Sequence, residues 1–498
     1  MEEATIENKS KFGEQTADHT ISDSKSDKAP KNCEYNTFKY ENKEYEIDRL
    51  SVGSKACSIK SNYSVTKPDS KFAHAYLNLT KSYLGMGPLT ITSAMKNAGL
   101  GFGLVGIFSC GLLALYGINI MVLARRKILK DQFNEEDNYF PDDPNQPHRE
   151  IREEDLQQDE DEDMGEMNPL RLSESSGAYT DMVVQSRHAI KTYSDLGRTL
   201  FGDIGYYLIT CVIFIQQLIV VISYFYFLNK YFPSYLVLIG ITPICMFCDL
   251  KKISYVSFFS LTCVLSAMLV VIVNSFINIS TEPKTEMEYF NFPHFPLFFG
   301  ICVYQYEGNV GCLQIENSMK KPKDFKKVSS FGMSTIIAFK CVLSCVTYIA
   351  FVNTVDDIII DRLTNSTLRS ILGIMYCFVV IGSMPIQLNP ISDTLYRTTA
   401  LDGHISMFRN NPTTKYYIGA LVSLVFCAAI AMIIPNLHTL FNIAGGVVGV
   451  LTIIVFPVMF YNKAFKDEIS WKRWLFHFLI AGLVTVSGLA STVYTLLD

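Results

Sequence analysis

Cysteine is almost missing from the hydrophilic parts of this chain. Of its 13 cysteines only Cys33 and Cys57 lie outside hydrophobic segments, which excludes a disulfide framework. Cys245 and Cys248 have C-x-x-C spacing but no second pair or histidines nearby, so ordinary packing is the reading over metal or redox use. No nucleophile–base constellation or metal cluster stands outside the apolar segments, and an enzyme is not expected. The chain has no repeated pore motif or ring-forming filter, which argues against an ion channel. Nor does it open on a signal peptide: the first seventy residues are polar, rich in Lys, Glu, Ser and Asp. Residues 1–70 are therefore expected to be a disordered cytoplasmic tail, with the first apolar span as signal anchor. No cofactor and no nucleic-acid partner are implied.

What is abundant is apolar sequence. The 498 residues are 49% hydrophobic and 13% aromatic, with a mean hydropathy of +0.21. These residues bunch into blocks of about 17–25, the length that crosses a hydrocarbon core of about 30 Å. Eleven candidate spans follow, approximately 72–96, 101–124, 204–229, 233–249, 253–277, 293–316, 329–353, 367–391, 415–435, 438–461 and 473–495. The reading is an all-α integral membrane protein, with residues 71–498 as a membrane domain. Residues 131–190, which contain the run EEDLQQDEDEDMGE, form a hydrophilic insert expected to be a disordered cytoplasmic loop.

Basic residues orient the spans. With the N-terminus cytoplasmic, inside loops carry Arg125, Arg126, Lys127, Lys130, Lys251, Lys252 and the cluster from Lys320 to Lys327. Arg397, Arg409, Lys415, Lys463, Lys466, Lys472 and Arg473 fall on the same side. The other side holds only Lys230, Lys284, Arg362 and Arg369. Sequons at Asn278 and Asn365 fall in loops of that second side, where glycosylation is permitted.

Two spans are interrupted. In the first, Gly85, Met86, Gly87 and Pro88 break a helical pattern, because proline lacks an N–H and glycine relaxes the backbone. An unwound turn ahead of a helix N-terminus is a site for a carboxylate; a packing kink is the plainer alternative. The sixth span reads GICVYQYEGNVGCLQIEN and carries Tyr304, Tyr306, Glu307, Gly308 and Asn309 at similar depth. An acid at membrane depth is costly and usually functional. Free carbonyls there could accept from an ammonium, with the tyrosines as walls. Glu307 has three candidate roles: binding the substrate amine, holding the unwound backbone of helix 1, or carrying a coupling proton. The second is favoured, since a buried acid caps exposed N–H donors economically. Two interrupted helices five segments apart are the best sequence pointer to a transporter's central site.

Four stretches carry a resemblance: GMGPLTITSAMKNAG (Gly85 to Gly99), TYSDLGRTLFGDIGYYL (Thr192 to Leu208), YQYEGNVGCLQIENSMKKPKDF (Tyr304 to Phe325) and IPNLHTLFNIAGGVVGVLTIIVFPVMF (Ile434 to Phe460). On these the chain resembles the amino acid/auxin permease family, most closely its proton-coupled and vacuolar amino acid transporter branch. The resemblance covers about residues 70–495. It implies a LeuT-like architecture of eleven helices, two inverted five-helix repeats plus one, with helices 1 and 6 discontinuous. It also implies that Gly85, Met86, Gly87, Tyr304, Tyr306, Gly308 and Ser383 bind substrate, with Glu307 and Gln387 in coupling or gating.

Asn78, which cannot titrate, stands where proton-coupled relatives carry a histidine, and His74 one turn earlier is its candidate substitute. The resemblance implies a secondary transporter of amino acids, small and neutral because no second buried charge stands in the motif. It would work by alternating access in a lipid bilayer, proton-coupled or facilitative, at the plasma membrane or a lysosomal or vacuolar membrane. Sodium coupling through helix 1 carbonyls and Ser383 is the second choice of ion. A transceptor signalling through the cytoplasmic segments is the alternative of a different class.

Overall fold

A computed structural model describes residues 37–40, 43–46, 70–137, 190–247, 250–281, 287–352, 358–397 and 412–497. The chain divides into two units, Met1–Val65 and Thr66–Asp498. In the first, Thr37–Tyr40 (β1) and Lys43–Glu46 (β2) pair antiparallel, with Thr37 opposite Glu46 and Tyr40 opposite Lys43. The rest of the expected tail, and most of the acidic insert over 131–190, lie outside the described residues.

The second unit is helical, as apolar sequence at membrane depth requires: with no water to hydrogen-bond, backbone groups must be satisfied within the segment. Its helices are α1 (Phe72–Tyr83), α2 (Gly87–Ala98), α3 (Leu100–Asp137), α4 (Tyr193–Asn229), α5 (Ser234–Phe247), α6 (Leu250–Thr281) and α7 (Phe295–Tyr304). They continue with α8 (Cys312–Ser318), α9 (Phe325–Phe351), α10 (Ser366–Arg397), α11 (Pro412–Ile433), α12 (Leu437–Ala464) and α13 (Trp471–Leu497). Among the described residues eight helices are long and apolar enough to cross a membrane: α3, α4, α6 and α9 to α13. The α5 helix, with Pro243 inside it, is shorter. The first and sixth expected spans are each divided into two short helices, α1 with α2 and α7 with α8.

The outside of the bundle is apolar. Ile204, Ile239, Leu269, Phe478 and Leu483 are all more than half exposed, a surface suited to lipid and not to water. Polar pairs lie inside instead. Thr92 of α2 meets Thr347 of α9 at 2.6 Å, and Tyr116 and Asn462 each contact a ring nitrogen of His477 at 2.6 Å. Such interhelical bonds help hold helices that have no hydrophobic drive to associate in lipid.

Two differences from the sequence expectation have local causes. The third span starts at Tyr193, eleven residues before the expected 204, because Thr192 and Asp195 form a capping box. The helix kinks at Gly202, whose φ of 69° is open to glycine. In α12, residues Ala444–Gly449 and Leu451–Val455 are wound as π-helix, freeing carbonyls for side chains elsewhere.

The approach of α12 to α7 is set by Gly445. A Cβ there would lie 1.8 Å from the Gly300 carbonyl oxygen and 2.8 Å from the Tyr304 nitrogen, both backbone. Beside it the Gly300 N–H donates to Ser491 of α13 at 3.1 Å, and Ser491 donates to Asn442 at 2.5 Å. We expect Gly445→Ala to cost at least the roughly 1–3 kcal/mol of an overpacked core, because backbone cannot swing aside. Thermal unfolding of the purified variant checks this.

Candidate functional site

Span 1 breaks at Leu84–Met86. The α1 helix ends with Leu84 at φ −111° and ψ 49°, and α2 starts at Gly87 with Pro88 in its first turn, where a missing N–H costs nothing. Tyr376 of α10 donates to the Gly85 carbonyl at 2.6 Å and so fixes the unwound strand. Among the described residues no hydrogen bond engages the N–H groups of Gly85 and Met86. They are donors at the start of a twelve-residue helix, where the dipole favours an anion.

Span 6 breaks at Gln305–Gly308, followed by a 3₁₀ turn at Asn309–Gly311 before α8. Sequence reasoning expected free carbonyls here for an ammonium, but most are occupied. Tyr304 accepts from the Glu307 N–H at 3.1 Å, Tyr306 from Gly308 at 3.0 Å and Gly308 from Gly311 at 3.4 Å. The Gln305 carbonyl accepts from the Lys340 ammonium of α9. Among the described residues, the acceptors left for a cation at the break are the Glu307 carbonyl and its carboxylate.

The two breaks meet. Tyr83, the last residue of α1, donates to Asn309 Oδ1 at 2.5 Å, and its ring lies flat enough on Gly308 that a Cβ there would fall 2.7 Å from it. Gln305 donates to Thr90 Oγ1 at 3.1 Å and lies over Gly87, where a Cβ would fall 2.4 Å from its Oε1. Asn309 also donates to the Ile453 carbonyl at 3.3 Å, and Tyr193 to Thr452 at 2.7 Å, both in the π-helical part of α12.

Around this junction the side chains sort by side. Glu307 lies within hydrogen-bonding reach of Gln216 on α4. Tyr224 stands between the breaks: its hydroxyl is 3.8 Å from the Cβ position of Gly85, within reach of Ser383 and Gln387, and beside Glu307. Tyr304 stacks on Phe441 of α12 at 4.1 Å and 15°. Thus Gly85, Met86, Gly87, Tyr304, Glu307, Gly308, Ser383 and Gln387 come together.

Three candidates do not. Tyr306 faces the opposite way, its ring 4.5 Å below the Lys340 ammonium and close to Gly111 and Ile337. His74 and Asn78 lie one turn apart on the exposed face of α1, away from the junction. The favoured role for Glu307 also moves: its described partner is Gln216, and it is Tyr376 that holds the helix 1 backbone.

Sequence reasoning missed Lys340, a fully buried cation one contact from the break. The signal was available, an ionisable residue inside the apolar run FGMSTIIAFKCVLSC, judged by the rule that singled out Glu307. It also used Arg125 and Arg126 only as loop charges. Both grip Glu316 of α8: Arg125 Nη1 at 2.9 Å, Arg126 Nε at 3.0 Å and Arg126 Nη2 at 2.9 Å.

Several known proteins resemble this chain. Amino acid transporter AVT3C of Arabidopsis thaliana is 25% identical over 228 residues, 46% of this chain and 50% of that protein. Vacuolar amino acid transporter 3 of Schizosaccharomyces pombe is 21% identical over 337 residues, 63% and 50% respectively. The human vesicular inhibitory amino acid transporter is 22% identical over 265 residues, 50% of each. The chain thus spans about half the length of these curated relatives. Among solved structures, the closed form of Mhp1, a nucleobase-cation-symport-1 family transporter with bromovinylhydantoin bound, aligns over 87% of this chain and 94% of that one. Its TM-score is 0.47 at 10% identity. The model of the family described as transmembrane amino acid transporter protein matches residues 68–140 and 176–497, well over half of the sequence, and this chain belongs to that family.

Proposed function

We propose that the protein is a secondary transporter of small neutral amino acids working by alternating access, with the substrate held between the two broken spans. One observation carries this reading. The unengaged N–H groups at Gly85 and Met86 and the carboxylate of Glu307 come together beside Tyr224. A zwitterion fits that pair, its carboxylate on the α2 N-terminus and its ammonium on Glu307. Tyr304 and Phe441 form an aromatic wall, and Ser383 and Gln387 reach the site through Tyr224. Lys340 is a second buried charge, but it is directed to the far side of the break, so the preference for an uncharged substrate side chain stands on Glu307 alone.

In this reading the eight long helices, the short α5 and the two broken spans make eleven crossings, arranged as two inverted five-helix repeats and one more. The N-terminus is cytoplasmic by the basic-residue asymmetry, which leaves Asn278 and Asn365 available for glycosylation on the other face. Vacuolar and vesicular transporters among the relatives favour an endolysosomal or vacuolar membrane, and with it a proton as the coupled ion over sodium.

Purified protein in liposomes, offered glycine, alanine, proline, leucine, glutamate and lysine under imposed proton or sodium gradients, tests the proposal. The expected result is accumulation of small neutral substrates above equilibrium under a proton gradient. Specific binding with neither gradient-driven nor exchange flux, in correctly folded protein, overturns transport and leaves an amino acid sensor.

A further inference from the structure

Resting on the transport reading, we propose that Lys340 is the residue that takes up and releases the coupled proton. Its place is the first argument. Lys340 is fully buried on α9, and its ammonium donates to the Gln305 carbonyl, the first residue of the break in span 6. The same break carries Glu307 two residues later, on the substrate side. A change at Lys340 is therefore felt by the backbone that positions Glu307.

The second argument is what surrounds the amine. An ammonium has three N–H donors. Lys340 has one described acceptor, the Gln305 carbonyl, and one aromatic face, Tyr306 at 4.5 Å. The titratable groups around it are the Cys302 thiol of α7 and the Tyr306 phenol, with Cys110 of α3 and Cys341 of α9 beside them. Among the described contacts no carboxylate faces it, and α1, α2 and α6, which also pack on α9, bring no titratable group against it. A buried charge kept only for structure is normally paired with an opposite one. This one is held by a carbonyl, a partner that a neutral amine can also use.

One further group remains unanswered beside it: the hydroxyl of Tyr306, whose ring faces the amine, is buried without a hydrogen-bond partner. It gives the amine, or water entering with the proton, somewhere to turn when the bond to Gln305 is released. The step balances simply: the ammonium gives up one proton to water on the side to which the site is open, leaving a neutral amine, and regains one from the other side. Charged, Lys340 clamps the Gln305 carbonyl; neutral, it loosens it, and the break can change shape.

The test compares wild type with Lys340→Gln, Lys340→Met and Lys340→Arg in liposomes loaded with a pH-sensitive dye. The substrate is whichever of glycine, alanine, proline or leucine the wild type moves fastest. Two fluxes are read: exchange of labelled for unlabelled amino acid without a gradient, and accumulation under a proton gradient with its dye signal. Wild type is expected to show both. The variants are expected to keep exchange within about 3-fold and to lose accumulation and the dye signal; arginine does so because it holds its proton. A variant that still acidifies the lumen with substrate overturns the proposal, as does one that melts like wild type yet has lost exchange. Wild type that accumulates substrate without moving protons overturns it and spares the transport reading. Wild type that moves no amino acid at all removes the transport reading itself.

Discussion

Glu307→Gln is expected to leave the protein folded and to lower amino acid uptake at sub-saturating substrate by roughly 10- to 150-fold. The size follows from what is removed. A charge-assisted hydrogen bond contributes about 1.5–3 kcal/mol, and each 1.4 kcal/mol is a factor of ten. Folding should survive because the substituted amide still offers an oxygen to Gln216, the described partner of the native side chain. The loss should appear mainly as a raised half-saturation concentration, since glutamine keeps the shape of the site and gives up only the charge that meets the ammonium. Ser383→Ala, which acts through Tyr224 and not on the substrate's charge, should lose much less. Uptake curves for both variants beside wild type, with thermal unfolding as the control, decide it. If Glu307→Gln takes up substrate with wild-type parameters, the ammonium is held elsewhere and the zwitterion site assigned here is wrong.

The sequence revealed the breaks but not their wiring. Glycine and proline within apolar runs mark Leu84–Met86 and Gln305–Gly308 directly, because few other features unwind a helix in lipid. Which carbonyls stay free depends on turn geometry over two or three residues and on a lysine 35 positions away, and no local pattern encodes that. The facing of Tyr306 was equally hidden. It lies two positions from Tyr304 and past the end of α7, where the turn and not a helical period sets its direction. The partner that joins the breaks, Tyr83 with Asn309, and the one that holds the first of them, Tyr376 with Gly85, are separated by 226 and 291 positions and belong to tertiary packing alone. Lys340 was a different omission: the residue was plain to see, but positive charges were weighed only where loops were expected.

The largest stability loss is expected at Glu316, on the short helix that carries span 6 away from its break. Its carboxylate is 1% exposed and takes Arg125 on one oxygen and both Nε and Nη2 of Arg126 on the other. Arg125, 3% exposed, also donates to the Ile190 carbonyl at 3.0 Å and to Asn317. Arg126 reaches the Pro322 carbonyl at 2.8 Å. One acid therefore fastens α8 to the end of α3, and through Arg125 to the entry of α4. Glu316→Ala strands a buried guanidinium, and breaking one side of a buried pair costs about 3–5 kcal/mol. Arg126→Ala should cost far less, about 0–1 kcal/mol for the exposed part of the pair plus its bond to Pro322, because that side chain is 36% exposed. The double variant Arg125→Met with Glu316→Met removes both buried charges and should recover much of the loss, as apolar replacements of buried ion pairs commonly do. Thermal unfolding of the three variants in one detergent gives the order Glu316→Ala lowest, the double variant between, and Arg126→Ala nearest wild type. Should the double variant fall below Glu316→Ala, the two charges are not each other's main partners. The strength of this corner would then lie in the carbonyls of Ile190 and Pro322, which bind arginine whether or not an acid is present.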